Sequence, residues 1–269
     1  MSGFSTTWLA LREPLDLAAR NTDVEAAFLD SLPSGPVRIL DLASGAGSTV
    51  AALAAKGVEP AGWLLCDHDS ALLEHAGQRW RKPVEQGTGR IDLRQIDLAR
   101  DLEQLPFADV AAVTTSAFLD LVSEAFVERL VEQVVKARKP FLASLTYDGR
   151  VRFDPEAPFD SDILAAHDRH QRTNKGFGPA LGPEAASRAI ALFEAAGYRV
   201  VQGPSDWRVA PHEHDFLMEF LGGWVRVGED LNLPSQALET WWRDRARQIR
   251  SEELSVTVGH VDFAALPSC

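Results

Sequence analysis

A carboxylate followed by a glycine-rich turn is the first feature of the sequence that could do chemistry. Asp41 ends an apolar run that starts at Val37, and Gly45-Ala46-Gly47 begins four residues after it. Glycine permits a positive φ and the close approach of a ligand, and a helix that follows such a turn presents free N–H groups to that ligand. The pattern predicts either a site for a nucleotide-like ligand or a tight turn whose aspartate caps the loop.

Two further aspartates, Asp67 and Asp97, end the next two stretches that have strand character. The carboxyl ends of parallel strands meet at one edge of a sheet, and ligands bind there. An acid after the second strand can accept hydrogen bonds from ribose hydroxyl groups, so we assign this role to Asp67. Asp69 has a simpler role, because an aspartate just before Ser70 can cap the helix that begins there.

Alternating strands and helices are expected to position these acids. Within residues 37–147, five stretches are predicted as strands and most of the segments between them as helices. This alternation is typical of a parallel sheet with right-handed crossover connections. Later in the chain we expect a helix over 183–196, a sixth strand over 198–203 with a continuation to 209, helices over 212–227 and 235–250, and a last strand over 253–266.

The acid, the short linker and the Gly45-x-Gly47 turn together resemble the first motif of the class I S-adenosylmethionine (SAM)-dependent methyltransferases. A dinucleotide-binding fingerprint would place glycine where this chain has Val50. The resemblance covers roughly two thirds of the chain. It implies an α/β, Rossmann-like sheet of seven strands, mostly parallel, with helices on both faces and the last strand antiparallel between the fifth and the sixth.

The resemblance also implies that SAM is the cofactor. In the family, the acid that corresponds to Asp41 helps to orient the turn and the methionine end of the cofactor, and the glycines pack beneath it. The position of Asp97 receives the adenine amino group, although a loop acid without a ligand is an alternative interpretation. The residues that we predict to hold the cofactor are Arg12, Asp41, Ala43, Gly45, Gly47, Asp67, His68, Asp97, Leu98 and Ser116.

Residues outside the repeating pattern suggest additions to the domain. We expect an N-terminal helical cap over residues 1–36 and a methyltransferase domain over 37–269. Segments 148–183 and 211–250 do not continue the alternation, so we predict both as insertions on the substrate side, with a helix in the first.

The first helix carries an unusual number of charges. One interpretation is a lid over the cofactor, in which Arg12 or Arg20 meets a carboxylate bidentately. The other is an exposed helix with local ion pairs. Pro14 lies within this stretch and is expected to break or bend the helix.

The insertion after the fifth strand holds the candidates for acceptor chemistry. Methyl transfer needs alignment and a dry pocket, and a protic acceptor can also need a base. His167 and His170 lie three apart on one helical face and are the predicted bases; a solvated helix with a basic end is the alternative. The residues that we predict to contact the acceptor are Phe118, Tyr147, Arg172 and Lys175.

Composition limits the class of acceptor. The net charge of −12 disfavours binding to a nucleic-acid backbone. The segment Thr115-Ser116-Ala117-Phe118 also lacks the Pro-Pro motif typical of methyltransferases that act on nucleic-acid bases. A small-molecule acceptor is therefore expected. Seven tryptophans fit best in the core, and an aromatic acceptor pocket or a homodimer face is the other use for them.

The expected location is the cytoplasm. No apolar run approaches the length of a membrane span, and the first residues lack the character of a signal peptide. The only cysteines, Cys66 and Cys269, are not expected to form a disulfide, which fits a reducing compartment.

Three alternatives stay open at the level of sequence. The same turn could serve an NAD(P)-dependent oxidoreductase, or the fold could bind SAM without catalysing a reaction. His212 and His214 could form a metal site with the two histidines of the insertion. No acid at a fixed spacing supports that metal site, so we predict none.

Overall fold

One sheet of eight strands runs through the described part of the molecule. The computed structural model describes residues 5–35, 37–56, 62–85 and 90–268. The strands are β1 (Arg38–Leu42), β2 (Gly62–Asp67), β3 (Arg90–Gln95), β4 (Ala112–Ser116), β5 (Phe141–Asp154), β6 (Arg199–Pro204), β7 (Trp207–Val209) and β8 (Ser255–Leu266). Seven of them lie in the order β3-β2-β1-β4-β5-β8-β6, and β7 pairs with a further part of β8.

The directions of the strands match the expected family pattern. Neighbouring strands among β1 to β5 are parallel, whereas β8 is antiparallel to β5, β6 and β7. The last strand therefore lies antiparallel between the fifth and the sixth, and the predicted Rossmann-like, mostly parallel sheet is confirmed.

Helices cover both faces of the sheet. Side chains of adjacent strand residues point to opposite faces: Ile39 packs with α2, α3 and α4, whereas Leu40 packs with α6 and α8. Both faces of β1 are buried in this way, which explains its continuous apolar sequence. The helices of the described ranges are α1 (Thr6–Ala19), α2 (Thr22–Asp30), α3 (Ser48–Ala55), α4 (Ser70–Glu85), α5 (Leu98–Asp101), α6 (Glu124–Lys136), α7 (Asp160–Gln171), α8 (Ala185–Ala195), α9 (His214–Asp230) and α10 (Ser235–Arg250).

The fifth strand is longer than the sequence pattern predicts. It continues to Asp154, so the first part of the expected insertion at 148–183 is strand. Its outer half pairs with the first residues of β8, from Val151 opposite Val258 to Asp154 opposite Ser255. β7 pairs with the same part of β8. It is a separate strand, which brings the total to eight, whereas the sequence predicted a continuation of the sixth strand.

A second apolar core lies around these outer strand halves. It joins the outer parts of β5 and β8 with β7, α7, α9 and α10, and it includes Phe153, Trp207, Trp224 and Trp241. Arg245 of α10 donates hydrogen bonds to the carboxylate of Asp160 at the start of α7. The segments that the sequence singled out as insertions thus build their own packed layer beside the sheet.

The first helix differs from the expectation in two respects. α1 runs unbroken through Pro14, which lies on the exposed side, where water can satisfy the carbonyl group left without an N–H donor. Arg12, Asp16 and Arg20 are buried, so these charges are not exposed as the second interpretation expects, although Arg12 and Asp16 do form a local ion pair.

No helix in the described ranges has both the length and the apolar character that a membrane crossing requires. Cys66 is a free, buried thiol in β2, and Cys269 lies outside the described residues.

Candidate active site

A cavity of about 390 Å³ opens at the carboxyl ends of β1, β2 and β4, and we call it the first cavity. Ligands of open α/β sheets bind in this position. The structure brings eight of the ten predicted cofactor residues to its wall. These are Arg12, Ala43, Gly45, Asp67, His68, Asp97, Leu98 and Ser116.

The turn after β1 is held against the end of β2. The backbone N–H of Gly45 donates to Oδ2 of Asp67 over 2.9 Å, and the N–H of Asp69 donates to Oδ1 of the same carboxylate, also over 2.9 Å. Ala43, Gly45 and Gly47 all have positive φ. A methyl group added to Gly45 would meet no protein atom closer than 3.9 Å, so the open space over this glycine belongs to the cavity.

Asp41 and Gly47, the other two predicted cofactor residues, support the turn and do not line the cavity. Asp41 is buried and accepts a 2.7 Å hydrogen bond from the Thr114 hydroxyl, and its second oxygen has no hydrogen-bond partner. Burial raises the pKa of Asp41 to about 7. Gly47 faces Trp80, because a methyl group added there would lie 2.5 Å from Nε1 of that indole.

Asp97 and Asp69 act as helix caps. The carboxylate of Asp97 accepts a hydrogen bond from the Ala99 N–H and begins α5. Asp97 is also exposed and lines the first cavity beside Leu98 and His68, and its second carboxylate oxygen lies 3.4 Å from Nε of Arg100. Asp69 accepts hydrogen bonds from backbone N–H groups at the start of α4, as its sequence position predicts.

The helix α1 is tied to the sheet over this cavity. Nε of Arg12 donates to Oδ2 of Asp16 over 2.9 Å, and Nε1 of Trp207 donates to Oδ1 of the same carboxylate over 3.0 Å. Arg20 donates a 3.2 Å hydrogen bond to the hydroxyl of Ser116 at the end of β4. The hydrogen bonds from Trp207 and Arg20 hold α1 beside the first cavity, as the lid interpretation expects. Arg12 instead pairs with Asp16 of its own helix, which is the local ion pair of the alternative interpretation.

A second cavity of about 640 Å³ adjoins the first. The two share Arg12, Ala117, Leu121 and Lys175 as wall residues. Eight of the side chains that line the second cavity carry aromatic rings. These are Trp8, Tyr147, His167, His170, Trp207, Phe220, Trp224 and His260.

The predicted bases lie in the second cavity, but their surroundings make them weak bases. The ring of His167 stacks on Trp224, with centroids 4.0 Å apart and planes 2° apart. Burial lowers the pKa of His167 to about 3, so this histidine is neutral near pH 7 and binds a proton poorly. The pKa of His170 is also lowered, by burial and by the neighbouring Lys175, whose Nζ lies 3.2 Å from its Nδ1.

The predicted acceptor contacts separate into different places. Tyr147 lines the second cavity, Phe118 lines the first, and Lys175 lines both. Arg172 lines neither, because its exposed guanidinium lies beside Asp168 and Glu184. Its assignment as an acceptor contact therefore has no support in the structure. Phe177 takes a place beside Phe118, with ring centroids 5.4 Å apart, and also lines the first cavity.

Two residues of the second cavity were missed at the level of sequence. Asp120 lies in a short 3₁₀ turn after β4; it is buried, and its Oδ1 has no hydrogen-bond partner. Burial raises the pKa of Asp120 to about 6, and the hydrogen bonds and cations around it oppose this rise. The sequence assigned roles to its neighbours Ser116 and Phe118 but none to Asp120. His260 of β8 was not singled out, since its burial depends on distant elements.

The histidine pairs stay apart in the structure. His212 lies beside Glu213, and His214 beside Glu252, whereas His167 and His170 line the second cavity. Within the described ranges, no group of three or more His, Cys, Asp or Glu side chains has an arrangement that could hold a metal ion.

Comparison with known proteins gives similarity in structure alone. No family model matches the sequence, and no curated protein matches it. The YcgJ protein of Bacillus subtilis is 15% identical over 91% of this chain and 98% of its own, with a TM-score of 0.52. A protein of Bacillus halodurans, provisionally described as a methyltransferase, is 13% identical over 92% of this chain and 100% of its own, with a TM-score of 0.52.

A third similar structure is the cyclopropane synthase MmaA2 of Mycobacterium tuberculosis. It is 12% identical over 97% of this chain and 94% of its own, with a TM-score of 0.51. Structural similarity at identities this low shows the fold alone. The chemistry of the individual site residues must be argued from their geometry. This chain has the class I, Rossmann-like fold of SAM-dependent methyltransferases, as its sequence predicts.

Proposed function

We propose that this protein is a SAM-dependent methyltransferase that acts on a small molecule. The observation that supports this most strongly is the pair of adjoining cavities. The first lies where the fold binds its ligand and is lined by the motif residues, and the second shares four wall residues with it. A cofactor in the first cavity and an acceptor in the second would meet at Arg12, Ala117, Leu121 and Lys175.

The residues of the first cavity fit the proposed cofactor. The carboxylate of Asp67 uses each oxygen for one backbone hydrogen bond, and a carboxylate oxygen can accept a further bond from a ribose hydroxyl group. His68, Asp97 and Leu98 form the part of the wall suited to the adenine ring. The open space over Gly45 gives the remainder of the cofactor access to the turn.

When bound, SAM would supply a methyl group on a sulfonium sulfur, which is a reactive electrophile. The protein's own residues would then hold the acceptor in line and exclude water. The apolar and aromatic wall residues of the second cavity suit this task, as does α1, which Asp16 and Arg20 tie down over the site.

Isothermal titration calorimetry with SAM and with S-adenosylhomocysteine tests the cofactor. We expect both to bind the full chain, and the product S-adenosylhomocysteine can be titrated without turnover. If neither ligand binds at millimolar concentration, by calorimetry at two temperatures, the proposal is refuted. Methyl transfer is tested by incubating the enzyme with SAM carrying a labelled methyl group and a library of small aromatic metabolites.

A fluorescence titration with NADH and the methyl-transfer assay distinguish the other two functions. An NAD(P)-dependent oxidoreductase would bind NADH; Val50, at the position of the third fingerprint glycine, disfavours this function. A non-catalytic SAM-binding module would bind SAM and transfer no methyl group to any acceptor.

We also propose a cytoplasmic location and an acceptor other than nucleic acid. The free thiol of Cys66 and the net charge of −12 support these two statements. Size-exclusion chromatography with light scattering would decide whether the protein is a homodimer.

A further inference from the structure

The second cavity contains a polar group that the packing of the protein does not explain. Asp120 is buried, and its Oδ1 has no hydrogen-bond partner in the described structure. A buried acceptor without a partner is costly. Asp120 lines the second cavity just beyond the wall that this cavity shares with the first, so a bound molecule could supply the missing donor.

The walls around this carboxylate are mainly aromatic. Trp207 and Phe220 line the cavity with ring centroids 6.3 Å apart, and Tyr147 lies at a right angle to the ring of His167, with centroids 5.6 Å apart. Flat apolar walls with few polar groups bind flat apolar ligands and leave those polar groups to set the orientation.

The charges in the cavity favour a neutral ligand over a cation. Arg12 and Lys175 both line it, and both act to lower the pKa of Asp120. Arg226 and Glu219 also line the cavity and pair with each other, and Arg12 is paired with Asp16. Lys175 and Asp120 are then left as one positive and one negative charge, so the cavity has no excess charge to attract either a cation or an anion.

The histidines do not alter this balance. Burial lowers the pKa values of His167 and His260 to about 3, so both rings are neutral near pH 7. The ligand that suits the cavity best is therefore an uncharged aromatic compound that carries a hydrogen-bond donor.

We infer that the second cavity binds an aromatic compound with a hydroxyl group, and that this hydroxyl donates its hydrogen bond to Oδ1 of Asp120. The inference rests on the proposed function and names the class of acceptor for the same site. Asp120 would then hold the proton of the acceptor's hydroxyl at the side of the cavity that faces the cofactor. This role was assigned to His167 and His170 from sequence.

A pair of fluorescent probes tests the inference without measuring turnover. We would titrate the full chain, saturated with S-adenosylhomocysteine, with 7-hydroxycoumarin and with 7-methoxycoumarin. The pH is set above the pKa of about 6 of Asp120, so that its carboxylate is ionised, and below the pKa of the probe's hydroxyl. The two probes share their ring system, and only the first can donate a hydrogen bond. A hydrogen bond to a carboxylate predicts about 10- to 100-fold tighter binding of 7-hydroxycoumarin.

Two variants locate the effect. Asp120→Asn removes the negative charge, so we expect it to reduce the preference for 7-hydroxycoumarin by about 10-fold and to leave binding of 7-methoxycoumarin within about twofold. Asp30→Asn changes an exposed acid at the end of α2 and should retain the full preference. Binding of S-adenosylhomocysteine by Asp120→Asn verifies that the variant is folded.

Three results would contradict the inference, the role of Asp120 or the proposed function. Equal affinity of the two probes for the unaltered protein, or binding of neither, would refute the inference even if Asp120→Asn failed to fold. An unchanged preference in a folded Asp120→Asn would refute the role of Asp120. Failure of the unaltered protein to bind S-adenosylhomocysteine would instead refute the proposed function.

Discussion

The backbone N–H of Gly45 donates a 2.9 Å hydrogen bond to Oδ2 of Asp67. The glycine belongs to the turn after β1 and the aspartate ends β2, so this bond connects the two elements that form the floor of the first cavity. A carboxylate at this position therefore has two tasks. It fixes the turn, and it presents its remaining acceptor capacity to the ligand.

Replacing this carboxylate should weaken the cofactor site. We expect Asp67→Asn to lower affinity for S-adenosylhomocysteine by about 10- to 100-fold, because an amide gives one acceptor oxygen in place of two charged ones. Asp30→Asn is the matched control, because this acid is exposed on α2 and lines neither cavity, so its affinity should stay within about twofold of the unaltered protein. Isothermal titration calorimetry measures both, and equal losses in the two variants would contradict the assignment of Asp67.

The two glycines of the turn should respond differently to alanine. Gly47→Ala would place a methyl group 2.5 Å from Nε1 of Trp80, whereas the same change at Gly45 would extend into open space. Overpacking predicts that Gly47→Ala destabilises the fold by about 1–3 kcal/mol beyond the cost of its positive φ. Gly45→Ala should reduce the free energy of binding S-adenosylhomocysteine, measured by calorimetry, by more than it reduces the free energy of unfolding.

Gly197→Ala supplies the control for these glycines. Its φ of +83° is close to the +84° of Gly47, and a methyl group there would meet nothing within 4 Å. It should therefore show the backbone penalty alone, about 1 kcal/mol. Urea unfolding of the three variants measures the differences, and a Gly47→Ala variant as stable as Gly197→Ala would exclude the predicted clash.

The buried carboxyl group of Asp41 should make stability depend on pH. Its pKa rises from 3.8 in the unfolded chain to about 7 in the folded protein, so the folded state holds its proton more tightly. The stability linked to this group is fully present below pH 3.8 and is lost as the pH rises through about 7. The loss amounts to at most about 4 kcal/mol.

Asp41→Asn should remove this part of the pH dependence. Burial raises the pKa values of Asp120 and Asp262 in the same direction, so the variant should retain a smaller slope from these groups. Urea unfolding at a series of pH values between 4 and 7 would measure the slopes. Identical slopes for the variant and the unaltered protein would show that Asp41 does not titrate with the fold.

The attachment of α1 should depend on Asp16. This carboxylate accepts from Arg12 and from Trp207, so Asp16→Ala would leave a buried indole N–H and a buried guanidinium without a partner. We expect the free energy of unfolding to fall by about 1–3 kcal/mol and trypsin to cleave α1 faster. Asp30→Ala, at an exposed position on α2, should change neither. Equal cleavage rates in the two variants would mean that other contacts hold the helix.

The first half of the fold follows from local sequence because its signals are local. An apolar run buried on both faces, an acid at its end and a glycine turn are features of a few consecutive residues. Asp67 and Gly45 therefore lie where the sequence places them, at the wall of the first cavity. The resemblance to the methyltransferase family added the position of the last strand, which periodicity alone does not specify.

The later elements depend on contacts between residues far apart in the chain. β5 continues to Asp154 because the start of β8, about a hundred residues later, pairs with it. The burial of Arg12 likewise depends on Trp207, which follows it by 195 positions in the printed sequence. The spacing of residues within a helix cannot indicate a partner so far along the chain. The sequence of α1 alone is therefore compatible with an exposed, charged helix.

Burial also weakens the argument from sequence for the two predicted bases. Histidine has a useful pKa in water, and this favoured His167 and His170 at the level of sequence. Burial against Trp224 removes that advantage from His167. Burial has the opposite effect on a carboxylate, because it raises the pKa and makes the group a better proton acceptor. Asp120 is buried in this way, but nothing in the sequence around it indicates that burial.

The position of β8 has a consequence for how the protein is made. β8 follows both β5 and β6 in the chain, yet it lies between them in the sheet. Until residues 255–266 have left the ribosome, β5 and β6 each expose an unpaired edge, and such edges promote association between chains. A chain truncated before Ser255 would therefore aggregate rather than yield a smaller folded protein.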